Sequence, residues 1–344
     1  MAVDVGVDLA ALTAWMDGRG LGSGPLEGVE RLSGGTQNIL LRFSRSGRAY
    51  ILRRPPPVLG ANSNETMRRE ARALAALAGT AVPHPGLIAA CPDEDVIGAA
   101  FYLMEPIDGF NATQGLSQPH ASDAAMRRRM GFAMVDAIAA LSKVDYNAVG
   151  LGDFGKLDNW LERQVGRWAA QLASYADMPG WTGPASIPGV DKVARWLDAH
   201  RPPVCQGGII HGDFHFGNVL FRRDSGELAA VVDWELCTLG DPLLDLGWLV
   251  ATWPEGERPH ETDVAITPWD GFATPAELVA HYGAQTGRDL AHFDWFAVLA
   301  CYKLGIILEG THARACAGKA PKETGDRLHA HTLYLFERAL RRIG

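Results

Sequence analysis

The sequence lacks an excess of basic residues. Its 344 residues include 32 Lys and Arg against 40 Asp and Glu, which gives a formal net charge of −8. Proteins that bind nucleic acid generally carry a basic patch facing the phosphate backbone. The charge balance therefore argues against a nucleic-acid partner.

Segments that would direct the chain to a membrane are also lacking. No apolar run approaches the roughly 20 residues needed to span a bilayer. The first twenty residues contain Asp4, Asp8 and Asp17 instead of a basic stretch followed by an apolar one. We expect neither a signal peptide nor a membrane anchor, and no membrane partner.

Cysteine is scarce and widely spaced. None of the cysteines forms the C-x-x-C pair of a metal or redox motif, and the five positions are Cys91, Cys205, Cys237, Cys301 and Cys316. The pattern favours reduced thiols and predicts a cytoplasmic location.

What the chain does contain is typical of a folded enzyme-sized globule, with 47% hydrophobic and 21% charged residues. Short alternating apolar stretches before residue 105 predict antiparallel strands, interrupted by a helix at 65–78. Longer amphipathic patterns predict helices after about residue 120, at 122–144, 156–177, 189–200, 275–286, 292–318 and 325–342. We predict an α+β fold with two lobes: a small, mainly antiparallel N-lobe (1–105) and a larger, mainly helical C-lobe (106–344).

The densest polar cluster lies at residues 211–218, with the sequence HGDFHFGN, and leads into an apolar strand. A turn and a returning strand follow, so the segment 208–235 is predicted to form a loop and a hairpin. The hairpin would bring Asp213, Asn218 and Asp233 to one end. A carboxylate that accepts a hydroxyl proton, with an amide oxygen and a second carboxylate that hold Mg²⁺, suits phosphoryl transfer.

Two other interpretations start from the same residues. Asp213 and Asn218 could simply cap a loop, as Asp and Asn often do. His211, Asp213 and His215 also form an H-x-D-x-H pattern that would suit the zinc of a metal-dependent hydrolase. The ordered set of aspartate, asparagine, strand, turn, strand and aspartate favours phosphoryl transfer.

The cluster at 211–218, followed by Val-Asp-Trp-Glu at 232–235, resembles the aminoglycoside phosphotransferase and choline kinase families, which have the protein-kinase-like fold. The resemblance implies Asp213 as the catalytic base, Asn218 and Asp233 as Mg²⁺ ligands, and His211 as a residue that fixes the loop. It also implies ATP as the phosphate donor, with GTP left open. Glu235 stands where protein kinases have glycine, which leaves open a role near the metal.

The same resemblance extends to the N-lobe. Gly34, Gly35 and Thr36 match the hairpin that covers the phosphates, where small residues let backbone N–H groups approach an anion. Arg53 stands where the family has a phosphate-gripping lysine, and Glu70 on the next helix is its implied partner. An arginine stays charged and binds phosphate through two N–H groups, so the geometry must differ from that of lysine.

Arg54 is a second candidate for the role of Arg53. Side chains alternate between the two faces of a strand, so Arg53 shares its face with Ile51, a candidate floor for the adenine ring. The alternation favours Arg53.

The segment 102–107 resembles the linker between the lobes. The resemblance implies that the backbone carbonyl of Glu105 and the N–H of Ile107 meet the edge of the nucleobase. Further along the chain, Asp241 is predicted to cap the helix that begins at Pro242. Asp245 lies one turn later, where it either faces the loop of Asp213 or favours the helix N-terminus.

Three stretches, 159–168, 240–248 and 304–314, resemble the branch that includes kinase-like domains fused to acyl-CoA dehydrogenases. This branch implies a kinase for a small-molecule hydroxyl, such as a hydroxyacyl-CoA or another metabolic alcohol. A polycationic aminoglycoside would call for a carboxylate cluster, whereas Arg163 and Arg167 on one helix face would suit an anionic acceptor or form a solvated stripe. A catalytically silent nucleotide-binding module remains the alternative, and the oligomeric state is open.

Overall fold

The structure is a computed structural model that describes residues 5–32, 38–56, 58, 60, 62–255 and 266–344. Within these ranges the strands are β1 (Glu27–Arg31), β2 (Ile39–Arg45), β3 (Arg48–Arg54), β4 (Leu87–Cys91), β5 (Phe101–Met104), β6 (Gly208–Ile210), β7 (Val219–Phe221), β8 (Leu228–Val231) and β9 (Thr238–Gly240). The α-helices are α1 (Leu9–Asp17), α2 (Ser63–Leu77), α3 (Ala124–Ser142), α4 (Trp160–Ala173), α5 (Val190–Ala199), α6 (Leu243–Thr252), α7 (Pro275–Thr286), α8 (Phe293–Cys316) and α9 (Lys322–Ile343).

The N-lobe is a five-stranded sheet in the order β1-β2-β3-β5-β4, in which neighbouring strands run antiparallel. Alternation along β3 divides its side chains between two cores. Tyr50 and Leu52 belong to the cluster that includes Leu12 and Trp15 of α1. Ile51 belongs to the other cluster, which contains α2 and continues into the C-lobe.

The linker after β5 is fastened to the C-lobe. Phe110 and Phe221 exchange two backbone hydrogen bonds of 2.9 Å each, which join the linker to β7. A Cβ atom at Gly109 would lie only 2.9 Å from the carbonyl oxygen of Phe221, so glycine permits this close approach. The linker is therefore fastened to the β7–β8 hairpin directly after it leaves the N-lobe.

The C-lobe is built around α8, a 24-residue helix whose N-terminal half is almost entirely buried. Helices α6 and α9 pack along it. Beneath the hairpin, Phe216 stacks on Trp253 with ring centroids 4.8 Å apart and meets Phe272 edge-on. This aromatic packing supports the loop between β6 and β7 from below.

The predicted fold class is confirmed: a small antiparallel lobe is followed by a larger helical one. All six long helices predicted in the C-lobe are present, with ends that differ by a few residues. Helix α1, strand β4 and the β6–β9 pair were not predicted. The lobe boundary between residues 105 and 106 stays a prediction, and β5 ends at Met104. Among the residues that the structure describes, no helix has the length and apolar character needed to cross a bilayer.

Candidate active site

His211 organises the loop that follows β6. Its ring is fully buried; Nε2 donates to the carbonyl of Val232 at 3.0 Å, and Nδ1 accepts from the backbone N–H of Asp213 at 3.3 Å. Both ring nitrogens thus make hydrogen bonds to the backbone of the loop and the hairpin. The ring links the loop to the far strand of the hairpin, which matches the loop-fixing role implied for it.

Asp245 anchors the same loop from α6. Its two carboxylate oxygens accept the backbone N–H groups of His211 at 2.7 Å and of Gly212 at 2.9 Å. Gly212 has φ +86°, and a Cβ there would lie 2.6 Å from the carbonyl oxygen of Leu236, so this position requires glycine. Of the two interpretations of Asp245, the structure places it facing the loop of Asp213.

Asp213 and Asn218 meet at the end of this loop. The Asn218 amide nitrogen donates to the Asp213 carboxylate at 2.9 Å and to the Asp213 carbonyl at 2.9 Å. His215 Nε2 lies 3.4 Å from the other carboxylate oxygen of Asp213. Burial raises the pKa of Asp213, but the hydrogen bonds from His215 and Asn218 and the nearby imidazoles outweigh it and lower the pKa to about 2.

Asp233 lies at the same end of the hairpin. Val219 pairs with Val231, and the N–H of Val232 donates to the carbonyl of Asn218 at 2.9 Å. Asp233 is the residue after Val232, so Asn218 and Asp233 lie at the same end of the hairpin. Asp233 has φ +66°, a left-handed conformation that a non-glycine residue seldom adopts. Such positions are often found at functional sites.

Arg53 joins the two lobes across the cleft. Its Nε donates to Glu70 Oε2 at 3.0 Å, so the expected ion pair is present, and its Nη2 donates to Asp233 Oδ1 at 2.6 Å. Glu235 lies farther away, with an oxygen 3.9 Å from Nη2. Arg54 points to the opposite face of β3 and donates to the carbonyls of Pro55 and Ile97, as the strand alternation predicts.

Glu70 is buried to an unusual degree for a carboxylate. Burial raises its pKa to about 7 even though the Arg53 guanidinium opposes the shift. Its Oε1 has no hydrogen-bond partner among the described residues, whereas Oε2 also receives a long 3.4 Å contact from the Tyr102 hydroxyl. Glu70 is therefore a buried carboxylate whose principal partner is the Arg53 guanidinium.

A cavity of about 340 Å³ lies between the lobes at these residues. Ile51 and Arg53 line it from the sheet, and Asn218 and Asp233 line it from the hairpin. Its wall also includes the linker residues Glu105, Pro106 and Ile107. The backbone N–H of Glu105 donates to the carbonyl of Gly86 at 2.8 Å. The carbonyl of Glu105 and the N–H of Ile107 are the groups to which the family resemblance gives the edge of the nucleobase. Gly34, Gly35 and Thr36 lie outside the described residues.

The fold and the site can now be compared with known proteins. The model of the family described as "Phosphotransferase enzyme family" matches residues 28–296. The chain belongs to this phosphotransferase family.

Relatives of the chain fall into two groups. The mouse protein named acyl-CoA dehydrogenase family member 10 is 28% identical over 309 residues, which cover 88% of this chain and 28% of that protein. The crystal structure of a provisionally assigned aminoglycoside phosphotransferase from Ralstonia eutropha JMP134 superimposes with a TM-score of 0.79 and 30% identity, covering 97% of this chain and 99% of the other. An aminoglycoside phosphotransferase variant in ternary complex with AMP-PNP and hygromycin B shares the fold, with a TM-score of 0.59, 16% identity, and coverage of 94% and 97%.

Two residues of this phosphotransferase were not predicted from the sequence to support the loop. Lys303 on α8 is buried, and its Nζ donates to the carbonyl of Gly212 at 3.0 Å and lies 4.4 Å from the ring centroid of Trp248. Asn111 donates to carbonyls of the loop, at 2.8 Å for Gly217. Neither residue belongs to a short sequence motif. The one signal that could have pointed to Lys303 is the presence of a lysine within an otherwise apolar helix pattern.

Burial lowers the pKa of Lys303 to about 8, although the carboxylates of Asp245 and Asp213 oppose the shift and Arg167 adds to it. The amine is buried against the loop at the carbonyl of Gly212. It supplies positive charge close to Asp213 without entering the cavity wall.

The hydrolase alternative requires His211 as a metal ligand. Both nitrogens of that ring are already used within the loop, and the ring is fully buried. The H-x-D-x-H pattern is therefore not a zinc site, because only His215 and Asp213 remain accessible.

The structure also places the remaining candidate residues. Arg163 is exposed and donates to the carbonyls of Lys156 and Asp158, and exposed Arg167 lies over Trp168 at 5.3 Å. Arg163 and Arg167 thus form a mostly solvated stripe on the surface of α4.

Asp241 provides the predicted side-chain cap, although helix α6 begins one residue later than predicted, at Leu243. Pro242, just before it, already has helical dihedral angles, with φ −57° and ψ −20°. The carboxylate of Asp241 accepts the N–H of Leu243 at 3.0 Å, and it forms an ion pair with Arg288. Asp241 therefore has a structural role, because a buried carboxylate is costly unless it is paired or hydrogen-bonded.

Proposed function

We propose that this phosphotransferase moves the γ-phosphate of Mg·ATP to a hydroxyl of a small metabolite. The observation that carries the proposal is that Asn218 and Asp233 line one cavity, with Asp213 hydrogen-bonded to Asn218 and Arg53 reaching Asp233 from the other lobe. GTP stays open as the donor. The cytoplasm is the proposed location, in line with the free thiols.

The residues fit a magnesium ion. The Asn218 nitrogen is held by Asp213, so its amide oxygen is the atom left for a cation, and Asp233 offers the carboxylate oxygen that Arg53 does not use. An all-oxygen set is what Mg²⁺ prefers. When bound, Mg²⁺ would neutralise charge on the phosphates.

Asp213 acts on the acceptor hydroxyl. A carboxylate with a pKa of about 2 is a weak base, so it orients the hydroxyl by accepting its hydrogen bond and takes the proton late in the transfer. Positioning of this kind supplies most of the catalysis in phosphoryl transfer, because the transition state has little bonding to the attacking oxygen. Arg53 holds a phosphate oxygen by charge.

The proposed acceptor class is a hydroxyacyl-CoA or another metabolic alcohol. The name of the mouse relative, acyl-CoA dehydrogenase family member 10, supports an acyl substrate. The chain spans 28% of that relative's length, so the dehydrogenase part of the name refers to a protein much longer than this chain. Aminoglycosides are the second class to be tested, because structural neighbours carry that name.

The test incubates the protein with γ-¹⁸O-labelled ATP, Mg²⁺ and a pool of hydroxyacyl-CoA thioesters, amino alcohols and aminoglycosides, followed by mass spectrometry. We expect a labelled phosphomonoester that the Asp213→Asn variant does not form. Asp136→Asn, a carboxylate on α3 outside the cavity, is the matched control and should form it. Saturable Mg·ATP binding without any labelled product would instead favour a catalytically silent nucleotide-binding module. The absence of nucleotide binding would exclude both the kinase and the silent module.

A further inference from the structure

We propose that Glu309, His312 and His329 form a divalent-metal site of the zinc class that joins α8 to α9. The three side chains offer one ligand atom each, and these atoms lie within 4.8 Å of one another. Glu309 lies six residues beyond Lys303 on α8, or roughly 9 Å further along the helix axis. The site is separate from the phosphate-transfer cleft and does not rest on the proposed function.

The helices place these ligands on facing surfaces. Glu309 and His312 are three residues apart on α8, so their side chains share one face. His329 comes from α9, which packs against that face. Metal sites in helical bundles are built in this way, from a Glu-x-x-His pair on one helix and ligands on the facing helix.

Glu309 is a fully buried carboxylate whose two oxygens have different partners. Oε1 accepts the indole N–H of Trp181 at 2.7 Å, and Oε2 lies 2.7 Å from Nδ1 of His329. Ligating carboxylates are characteristically held by a hydrogen bond of this kind from outside the metal shell. With metal–ligand distances of about 2.0–2.1 Å, two ligands of a tetrahedral zinc lie about 3.3 Å apart. Oε2 and Nδ1 would have to separate by only about half an ångström to admit the ion and release the shared proton.

His312 provides the second, independent observation. Its Nδ1 is buried and has no hydrogen-bond partner among the described residues, while Nε2 lies 3.5 Å from Sγ of Cys316. Nδ1 lies toward α9, since a Cβ at Gly325 would be 3.7 Å from it, and the ring stacks on that of His329 at 4.3 Å. A buried imidazole nitrogen without a partner costs free energy that a bound cation would recover.

The donor set selects the kind of metal. Two imidazoles and one carboxylate suit Zn²⁺, whereas Mg²⁺ requires oxygen ligands and retains water. The fourth position would hold water. Because the ion binds the folded chain, it would stabilise the packing of α9 on α8.

The test titrates chelator-treated protein with Zn²⁺ by calorimetry, in the presence of excess Mg²⁺ to occupy the transfer site. We expect one zinc per chain and a rise in melting temperature. Glu309→Gln and His312→Ala should each weaken binding by about 100-fold or more, and Trp181→Phe by about 10-fold. His281→Ala is the matched control, because His281 also pairs with a carboxylate, Asp136 at 2.7 Å.

Two results would overturn the proposal: zinc binding no stronger than that of Mg²⁺, or zinc binding that is equal in the wild type and in Glu309→Gln and His312→Ala. If either ligand variant fails to fold, Trp181→Phe decides, since it leaves all three ligands in place. A plain ion pair between Glu309 and His329 predicts no effect of Zn²⁺ on the melting temperature of any variant. None of these readouts depends on phosphate transfer, so failure of this proposal and failure of the proposed kinase activity are distinguishable.

Discussion

The two sides of the cleft hold their carboxylates in opposite ways. On the C-lobe side, Asp213 receives hydrogen bonds from His215 and Asn218, and its pKa falls to about 2. On the N-lobe side, Glu70 has one buried oxygen without a partner in the described chain, and burial raises its pKa to about 7. The difference shows that the balance between burial and nearby donors sets the pKa of a carboxylate: burial outweighs the Arg53 guanidinium at Glu70, whereas the hydrogen bonds and imidazoles outweigh burial at Asp213.

The two sides also differ in how far along the sequence their contacts reach. The loop of Asp213 is held by Asp245 and Lys303 within the C-lobe, so it is formed in advance of any substrate. Arg53 contacts Asp233, 180 positions later in the chain. We expect the C-lobe loop to govern the transfer step and Arg53 to govern nucleotide binding.

The largest effect is expected from Asp213→Asn. The amide keeps the shape of the side chain but cannot accept the hydroxyl proton, so kcat should fall about 10²- to 10⁴-fold. The dissociation constant of Mg·ATP, measured by calorimetry, should stay within about 2-fold. A variant that keeps full kcat would remove Asp213 from the mechanism.

A smaller loss is expected from Asp245→Asn, which tests whether the loop is preformed. The amide offers one acceptor where two backbone N–H groups now bind, so the free energy of unfolding should fall by about 1.5–3 kcal/mol. Chemical denaturation measures this loss. Asp289→Asn, at an exposed position, is the control and should change stability little.

Arg53→Lys tests the other side of the cleft. The lysine restores the residue that the family usually has, yet it cannot contact Glu70 and Asp233 through two separate nitrogens. We expect nucleotide affinity to weaken by about 10-fold, or about 1.4 kcal/mol, with kcat changed less. Tighter binding than the wild type would show that the arginine contacts hold the cleft shut instead of serving the nucleotide.

The smallest effect is a pH dependence at Lys303. Burial lowers its pKa to about 8, so the amine is charged below that pH and loses its charge above it. We expect kcat to decline several-fold as the pH rises through about 8, because the positive charge against the Asp213 loop is lost. In Lys303→Met the alkaline decline should be absent and kcat should be low at every pH; a wild-type alkaline limb retained in the variant would assign the titration to another group.

Much of the fold was predictable because its helices are long and periodic, and the hairpin is local. Helix α7 was predicted from its amphipathic pattern with the bounds that the structure shows, Pro275–Thr286, and a capping box of Thr274 and Glu277 marks its start in the structure. Strands β6 and β9 have three residues each and exist only because distant segments pair. Such pairs leave no periodic signal.

The site residues that lie close together in the sequence were also predictable, whereas those brought in by tertiary packing were not. Asp213, Asn218 and Asp233 lie within one hairpin, so their juxtaposition follows from local structure. The choice of Arg53 over Arg54 follows from the alternation of a strand. Lys303 reaches the loop from another helix, 91 positions later, and only tertiary packing brings it there.

The central claim is that the Asp213 loop governs phosphate transfer and that Arg53 governs nucleotide binding. It is tested most directly by measuring Mg·AMP-PNP binding and single-turnover phosphate transfer from Mg·ATP for Asp213→Asn and Arg53→Lys under the same conditions. We predict that Asp213→Asn binds the nucleotide as the wild type does and transfers phosphate about 10²- to 10⁴-fold more slowly, whereas Arg53→Lys binds more weakly and, at saturation, transfers at close to the wild-type rate. The reverse pattern, with transfer retained in Asp213→Asn or nucleotide affinity unchanged in Arg53→Lys, would contradict the account.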